Sequence, residues 1–198
     1  MPASNPEAIA RILYKEIVAG DLRKFEAKSN DTPSGGGARD LRFGNYTSIE
    51  PIVKKLFPRQ VPLKRLRKGK ETTVQGFEGD FVWERDHKVD SKTVIFEPPT
   101  TARPTEGRIA RVHEQPALDP TPILPLKVND KVFLLFAQRN DGQVWPFFTT
   151  ESSLQTVGDW DPRVAEEILK CIAERRAGGV AVIGYRDFVS GEGYCNGG

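Results

Sequence analysis

The chain has 198 residues, of which 38% are hydrophobic and 9% aromatic, enough for one domain with a substantial core. This composition excludes intrinsic disorder of the whole chain. The formal net charge of +2 predicts no partner by itself. No apolar run approaches the roughly 18 residues of a membrane span, and the N-terminus lacks the profile of a signal peptide. The sequence therefore predicts a soluble cytoplasmic protein.

The first third of the chain predicts a helix, a strand and a loop. The helix has Pro6 at its first position and ends at Gly20, because apolar residues recur between them at helical spacing, namely Ile9, Ile12, Leu13 and Ile17. Residues 22–27 alternate apolar and charged side chains, which is typical of a half-buried strand. Residues 29–37 contain the glycines, proline and asparagine of an irregular loop.

A second helix leads into a strand-rich middle region. Thr47 or Ser48 caps this helix, and Pro58 ends it. Short β-branched and aromatic runs predict strands at residues 77–83, 93–96, 132–136 and 144–150. The last two flank Asn140-Asp-Gly142, a strong hairpin signal, and Pro146 places the second of them at an edge or a bulge.

The C-terminal region predicts one more helix and strand. Asp161 caps the helix, Pro162 occupies its first position, and Gly178-Gly179 ends it. Residues 180–183 form a strand. We predict a single domain over residues 1–189 and a flexible tail over residues 190–198. Together, these predicted helices and strands indicate a β-rich α+β fold, an open antiparallel pseudobarrel of about seven strands flanked by short helices.

A run of positive charge lies between Pro51 and Lys70, where the sequence has no acidic residue. Such a run attracts polyanions, although a solvated basic face is an equal alternative. Its eight basic residues are Lys54, Lys55, Arg59, Lys64, Arg65, Arg67, Lys68 and Lys70.

The sequence gives only weak signals of a catalytic site. Asp80, Asp90 and Lys92 imitate the spacing of a Mg²⁺-dependent nuclease, but Asp90 follows a polar turn rather than a buried strand. His87 and His113 have no ligand at metal-binding spacing and are predicted to be surface residues. We predict neither a metal nor another cofactor.

The two cysteines suggest neither a disulfide framework nor a zinc site. Cys171 falls near the apolar stripe of its helix and is predicted to be a buried structural thiol, whereas Cys195 lies in the tail. Both fit a reducing compartment.

Two polar loops carry the residue types that a reader of the DNA major groove requires. We name them the N-arm (residues 29–43) and the C-arm (residues 100–111). Arginine binds guanine edges, glutamate accepts from cytosine N4, and hydroxyl groups bind phosphates. The alternative is two ordinary solvent-exposed loops.

Short motifs in both arms resemble the N-terminal effector-binding domain of the EcoRII restriction endonuclease. Phe25-Glu-Ala-Lys-Ser-Asn-Asp-Thr-Pro-Ser-Gly-Gly-Gly37 is similar to an Asn-Asp-Thr then Gly-Gly loop of that family. Ile52-Val-Lys-Lys-Leu-Phe-Pro58 is similar to its Lys-Leu-Phe-Pro helix end, and Glu106-Gly-Arg-Ile-Ala-Arg111 to its Glu-Lys-Arg-Ile-Thr-Arg segment. The resemblance spans residues 22–150 and implies a DNA-binding pseudobarrel whose two arms grip the major groove.

Carried over by position, the resemblance implies that both arms bind DNA. The N-arm set is Asn30, Asp31, Thr32, Ser34, Gly36, Gly37, Ala38, Arg39 and Arg42, and the C-arm set is Arg103, Thr105, Glu106, Arg108 and Arg111. Among these, Arg39, Arg42, Arg103, Glu106 and Arg108 are expected to touch bases. Lys64, Arg65, Arg67 and Lys68 are expected to contact phosphates if they lie on the same face.

Two departures from the family bear on the target. Ala38-Arg39 replaces a His-Gln pair, and Gly107 replaces a lysine, so we expect a recognised sequence different from that of the family. The chain also lacks the family's nuclease domain, so it is expected to be a binding module of a restriction-modification or phage-defence system rather than an enzyme.

Three alternatives remain open at this point. One is an interaction subunit of a nuclease or methyltransferase complex, which would show large apolar patches outside the arms. Another is a reader of methylated or otherwise modified bases. The third, a small Mg²⁺-dependent nuclease, requires Asp80, Asp90 and Lys92 to converge.

Overall fold

Ten strands form one curled, open sheet in the computed structural model, which describes residues 9–26, 39–67, 69–121, 130–174 and 181–196. The strands are β1 (Ile9–Ile17), β2 (Leu41–Phe43), β3 (Arg59–Arg67), β4 (Lys70–Arg85), β5 (Lys88–Glu97), β6 (Gly107–Ile109), β7 (Val132–Arg139), β8 (Val144–Thr150), β9 (Ile183–Asp187) and β10 (Gly193–Cys195). The helices are α1 (Ala19–Glu26), α2 (Tyr46–Leu56), α3 (Glu151–Gln155) and α4 (Pro162–Glu174), with 3₁₀ turns at Val112–Glu114 and Pro116–Leu118.

The strand order is β10-β9-β1-β7-β8-β4-β5-β6-β2, with β3 beside β4 and off this path. The pairs are antiparallel except β4 and β8, which meet in parallel at Phe81 and Val144. The β-rich α+β pseudobarrel predicted from the sequence is confirmed, with three more strands than the about seven expected. β2 and β6 lie together at one end of the sheet, and this end carries both arms.

Apolar layers cover both faces of the sheet. On one face α2 packs Ile49, Ile52 and Leu56 into a cluster that contains the stacked rings of Phe81 and Phe136, 4.9 Å apart. On the other face α4 contributes a second cluster, whose members include Val164, Ile168, Ile12, Phe133 and Leu135. The central strands β1 and β7 are therefore covered on both sides.

The helix predicted around residues 9–17 is wrong, because these residues form β1. Ile12 and Tyr14 belong to the cluster under α4, whereas Leu13 and Ile17 belong to the cluster under α2. A strand buried on both faces has no apolar–polar alternation, so its apolar residues can match helical spacing by chance. The predicted helix start lies outside the described residues.

The strand predicted at residues 22–27 is also wrong, because α1 occupies Ala19–Glu26. Leu22 and Phe25, three positions apart, both pack on the cluster under α2, and the ring of Phe25 meets that of Phe148 edge-on at 5.2 Å. Gly20 lies inside this helix rather than ending the one before it. The loop predicted at residues 29–37 lies outside the described residues.

Several predictions that depended on local signals are confirmed. α2 ends before Pro58 as predicted, but the predicted caps Thr47 and Ser48 are wrong, because both lie inside the helix and its N-cap is Asn45, which has a left-handed backbone and makes no side-chain cap bond. The Oδ1 of Asp161 accepts from the backbone N–H of Arg163 at 2.9 Å where α4 begins. β7 and β8 pair across Asn140-Asp-Gly142. β8 pairs with β4 at Val144. Two residues further along, Pro146 pairs with β7 on one side, so this part of β8 lies at an edge of the pairing, as predicted.

The predicted flexible tail instead takes part in the sheet. Residues 193–195 form β10 and pair with β9. Cys195 forms a disulfide with Cys171 of α4, with the two Cα atoms 5.7 Å apart, so neither cysteine is the isolated thiol that was predicted. Disulfides persist mainly in oxidising compartments, and the pairing removes the argument for a reducing compartment from cysteine usage.

Among the helices of the described ranges, none combines the length and the apolar character needed to cross a bilayer.

Candidate nucleic-acid interface

Strand pairing brings the described ends of the two arms together. β2 of the N-arm pairs with β6 of the C-arm, and Arg42 lies directly opposite Arg108 in that pair. Next to it, the backbone N–H of Val112 donates to the carbonyl of Arg39 at 3.0 Å. The sequence predicted two separate loops. In the structure, the strands at the ends of these loops pair at one edge of the sheet.

Part of the predicted DNA-binding set cannot be placed. Lys68 and the following N-arm residues lie outside the described residues: Asn30, Asp31, Thr32, Ser34, Gly36, Gly37 and Ala38. Arg67 ends β3, but its side chain is not among those described.

Seven charged residues alternate in sign across this edge of the sheet, and we name them the arginine–carboxylate row. Neighbours along the row lie within 3.7 Å of each other. In order, the members are Arg65, Glu97, Arg108, Asp40, Arg42, Glu106 and Arg103.

Arg108 is the most tightly held member of the row. Its Nε and Nη2 donate to Glu97 Oε2 at 3.0 and 2.7 Å, and its Nη1 donates to Asp40 Oδ2 at 2.5 Å. Burial lowers the pKa of Arg108, but the hydrogen bonds and charges of Glu97 and Asp40 outweigh burial and raise it above its ordinary value. In this arrangement Arg108 links β6 to β5 and to the N-arm.

Arg42 and Arg103 are held more loosely. The Nη2 of Arg42 is 3.4 Å from Asp40 Oδ2, and its Nη1 is 3.7 Å from Glu106 Oε2. Arg103 donates to the same Glu106 oxygen at 3.2 Å, and its side chain is 52% exposed. Contacts of this length and exposure are weak, so both guanidinium groups can exchange a carboxylate for another acceptor.

The tip of the C-arm is a tight turn. The backbones of Thr100 and Arg103 pair in both directions, at 3.2 and 3.0 Å. The N–H of Arg103 also donates to the hydroxyl oxygen of Thr100 at 3.2 Å, and Thr105 is exposed beside it. The carbonyl of Thr105 accepts from the N–H of Tyr46 at 3.0 Å, which fastens the C-arm to the start of α2.

Gly107 begins β6 of the C-arm, at a position that has no room for a side chain. A Cβ atom at this position would lie 2.7 Å from the Cδ2 of Tyr46 and would collide with the ring of Phe96. A larger side chain at this position would not fit without a shift of these rings. Packing therefore requires a glycine here.

Two further arm residues lie outside the row. Arg111 has a left-handed backbone with a φ of 51°, and its side chain is 74% exposed and 3.7 Å from Glu114. Burial lowers the pKa of His113, and the charge of the half-buried Arg39 lowers it further. The imidazole of His113 is only 10% exposed, so the prediction that it is a surface residue is wrong, whereas His87 is fully exposed.

The basic run between residues 51 and 70 is neutralised by its neighbours in the fold. Of its members with described side chains, each lies within 3.4 Å of a carboxylate oxygen; the pairs are Lys54–Glu50, Lys55–Asp187, Arg59–Asp80, Lys64–Glu71 and Arg65–Glu97. Only Arg65 among these five belongs to the row, where it also donates to the carbonyls of Pro98 and Pro99. Acidic residues of α2, β4, β5 and β9 therefore cancel much of the field expected from the linear sequence.

The three residues of the nuclease alternative do not converge. Asp80 faces Thr93 across the β4–β5 pair, whereas Asp90 faces Trp83, three positions further along β5. An odd offset puts Asp80 and Asp90 on opposite faces, about 10 Å apart along the strand. Arg59 binds both Asp80 oxygens at 2.7 and 2.9 Å and, with Thr93, lowers the pKa of that carboxyl.

Lys92, the third residue of that alternative, donates to the carbonyl of Glu114 at 2.7 Å. Within the described ranges, no three His, Cys, Asp or Glu side chains gather as a metal ion would require.

The sequence missed two carboxylates that organise the site, Asp40 and Glu97. Asp40 precedes Arg42 by two positions, which puts both on one face of an extended segment and was a readable signal. Glu97 meets Arg108 only through the β5–β6 pairing, which no local pattern indicates.

No family model, curated protein or solved structure compared with this chain matches it. The resemblance to the EcoRII effector-binding domain thus depends on the motifs alone and remains a prediction.

Proposed function

We propose that this protein binds double-stranded DNA and reads a short sequence in the major groove with its two arms. The observation that carries the proposal is the arginine–carboxylate row, because it joins the N-arm and the C-arm into one surface rich in guanidinium groups. Arginine offers bidentate donors to guanine, and glutamate accepts from cytosine N4, so the row holds groups that distinguish base pairs.

Within the row, the residues divide by how firmly they are held. Arg42 and Arg103 are the base readers, since their contacts to Glu106 and Asp40 are long and a guanine edge can replace them. Glu106, released by both arginines, becomes an acceptor for cytosine. Arg108 is bound at short distance to Glu97 and Asp40, so it stabilises the surface and is not one of the base readers.

The electrostatic attraction between the arms and DNA is local and modest. Among the described residues around the arms, six arginines face four carboxylates: Arg39, Arg42, Arg65, Arg103, Arg108 and Arg111 against Asp40, Glu97, Glu106 and Glu114. Few counterions are released by so small an excess, so we expect non-specific binding to be measurable at low salt and weak at physiological salt, where base contacts supply much of the affinity. A partner nuclease or methyltransferase in a restriction or phage-defence system would then act on the site that this module finds.

The interaction-subunit alternative has less support. Among the described residues, the large apolar side chains that are exposed are Val18, Val89, Val157 and Val189, which belong to four different strands or loops. Scattered single residues of this kind are ordinary surface features and do not form a docking patch.

The proposal is tested by titrating a fluorescent mixed-sequence duplex with the protein at about 50 mM and about 200 mM salt. We expect binding at the lower salt that weakens at the higher one. Arg103→Ala should weaken it, whereas the matched control Arg85→Ala, at the far end of β4, should not. No binding by the wild type at low salt would overturn the proposal.

A further inference from the structure

Asp40 lies where the N-arm joins the sheet. It is 7% exposed, although it is charged, and it immediately precedes β2. Its Oδ2 accepts from Arg108 Nη1 at 2.5 Å and lies 3.4 Å from Arg42 Nη2. One carboxylate oxygen therefore contacts an arginine of each arm.

The backbone on both sides of Asp40 is fixed. Arg39 accepts from the N–H of Val112 at 3.0 Å, and Leu41, fully buried, lies opposite Ile109 in the β2–β6 pair. Asp40 thus has little freedom to leave the two guanidinium groups. Without its charge, Arg42 and Arg108 would be like charges directly opposite each other, which destabilises an antiparallel pair.

We propose that Asp40 is a positioning residue, which sets the placement of the two arms relative to each other and touches no base. This inference rests on the proposed function. Burial keeps the Asp40 carboxylate from the groove, and its negative charge repels phosphate, so it contributes to recognition only through Arg42 and Arg108.

The opposite effects of Asp40 on specific and non-specific binding make the inference testable. Removing the charge makes the surface more positive, so affinity for any duplex stays the same or rises. Removing the bridge misplaces the arginines, so affinity for the preferred sequence falls. Discrimination between the two duplexes is therefore the quantity that Asp40 controls.

The experiment compares wild type, Asp40→Asn and Asp86→Asn in competition titrations with a preferred duplex and its scrambled version. Asp86→Asn is the matched control: it makes the same charge change at the β4–β5 turn, about 30 Å along β5 from the row. We expect Asp40→Asn to lose at least about tenfold in discrimination, as when a charge-assisted hydrogen bond is lost, with no loss of affinity for the scrambled duplex. Asp86→Asn should keep the wild-type ratio.

A second variant and a measurement without DNA distinguish the proposed role of Asp40 from a folding defect in Asp40→Asn. Asp40→Glu keeps the charge and displaces the carboxylate, so it should also lose discrimination. Amide hydrogen exchange at residues 107–111 should speed up in Asp40→Asn and not in Asp86→Asn. Unchanged discrimination in both Asp40 variants, with unchanged exchange, would overturn the inference alone. A wild type without sequence preference would overturn the proposed function and the inference with it.

Discussion

Arg42 and Arg108 lie directly opposite each other at the last strand pair of the sheet, and the carboxylate of Asp40 lies between their guanidinium groups. Two like charges in this position would repel, so the edge depends on the acidic residues that separate them. The short strands β2 and β6 contribute only three residues each to the pairing. Side-chain electrostatics therefore act together with the burial of Leu41, Phe43 and Ile109 in holding the two arms together.

Replacing Arg108 should first lower stability. Arg108→Ala leaves the buried carboxylate of Asp40 and that of Glu97 without their shortest hydrogen bonds, and the loss of such charge-assisted bonds costs about 2 kcal/mol. Urea denaturation of wild type and variant measures this, with the exposed Arg85→Ala as control. If both variants lose equally little stability, Arg108 does not hold the edge and returns to the set of expected base readers.

Arg111 and Lys64 should differ in their effect on the salt dependence of DNA binding. Both side chains are highly exposed, at 74% and 75%, but Lys64 pairs with Glu71 at 3.0 Å on the β3–β4 hairpin. It directly precedes Arg65 in β3, so its side chain lies on the opposite face of the strand from that member of the row. Arg111→Ala should reduce the slope of log K against log salt by about one, as expected for one lost phosphate contact. Lys64→Ala should leave the slope unchanged. A larger effect of Lys64→Ala would place the DNA on the hairpin instead.

Asp187 should make stability depend on acid pH. It is 1% exposed and accepts from Lys55 Nζ at 2.7 Å and Arg11 Nε at 3.0 Å. Burial raises the pKa of Asp187, but these hydrogen bonds and those from the backbone of Ser190 and Val189 hold it well below its usual range. The resulting stability is present above the unfolded-state pKa of about 3.9 and is lost as pH falls toward the folded-state value.

Asp187→Asn tests this assignment. It should cost about 1.5–3 kcal/mol at neutral pH, because it removes the charge-assisted hydrogen bonds that the partly exposed Lys55 and Arg11 donate to the buried carboxylate. The variant should also lose less stability than wild type between neutral pH and about pH 3, since the titrating carboxyl is gone. Urea denaturation at both pH values gives the comparison. An equal acid-induced loss in wild type and variant would show that other carboxyls dominate.

The disulfide should raise the melting temperature. Cys171 and Cys195 are 24 residues apart, and closing a loop of that length stabilises by about 3 kcal/mol in the chain-entropy model. A dithiol reductant should therefore lower the Tm of wild type by about 6–12 °C. Cys195→Ser, which cannot form the bond, should start lower and respond little. A wild type that is insensitive to reductant would count against the pairing.

Local signals in the sequence predicted the elements that local chemistry determines. The cap of α4 at Asp161 and the hairpin at Asn140-Asp-Gly142 both follow from residues within a few positions of each other. By contrast, β1 and α1 were predicted with their types exchanged. The burial of β1 on two faces is a property of the whole sheet, and it outweighs the local pattern of Ile9–Ile17.

In the candidate site too, the sequence predicted the features that depend on residue type and missed those that depend on the fold. Residue types alone indicated the two arms, including Arg42 and Arg103. Glu97 and the acids that neutralise Lys64 and Arg59 lie on neighbouring strands, so their roles depend on strand register. The disulfide likewise requires α4 and β10 to meet, which spacing along the chain does not show.

Sequence reading by the two arms is tested by selection from a randomised duplex library in the presence of Mg²⁺, with sequencing of the bound pool. We expect an enriched short motif, uncut DNA and affinity that weakens with salt. Arg103→Ala should relax the preference at one base pair, by about 1–3 kcal/mol. A bound pool with no enriched motif, or no bound pool at low salt, would contradict sequence reading by the arms.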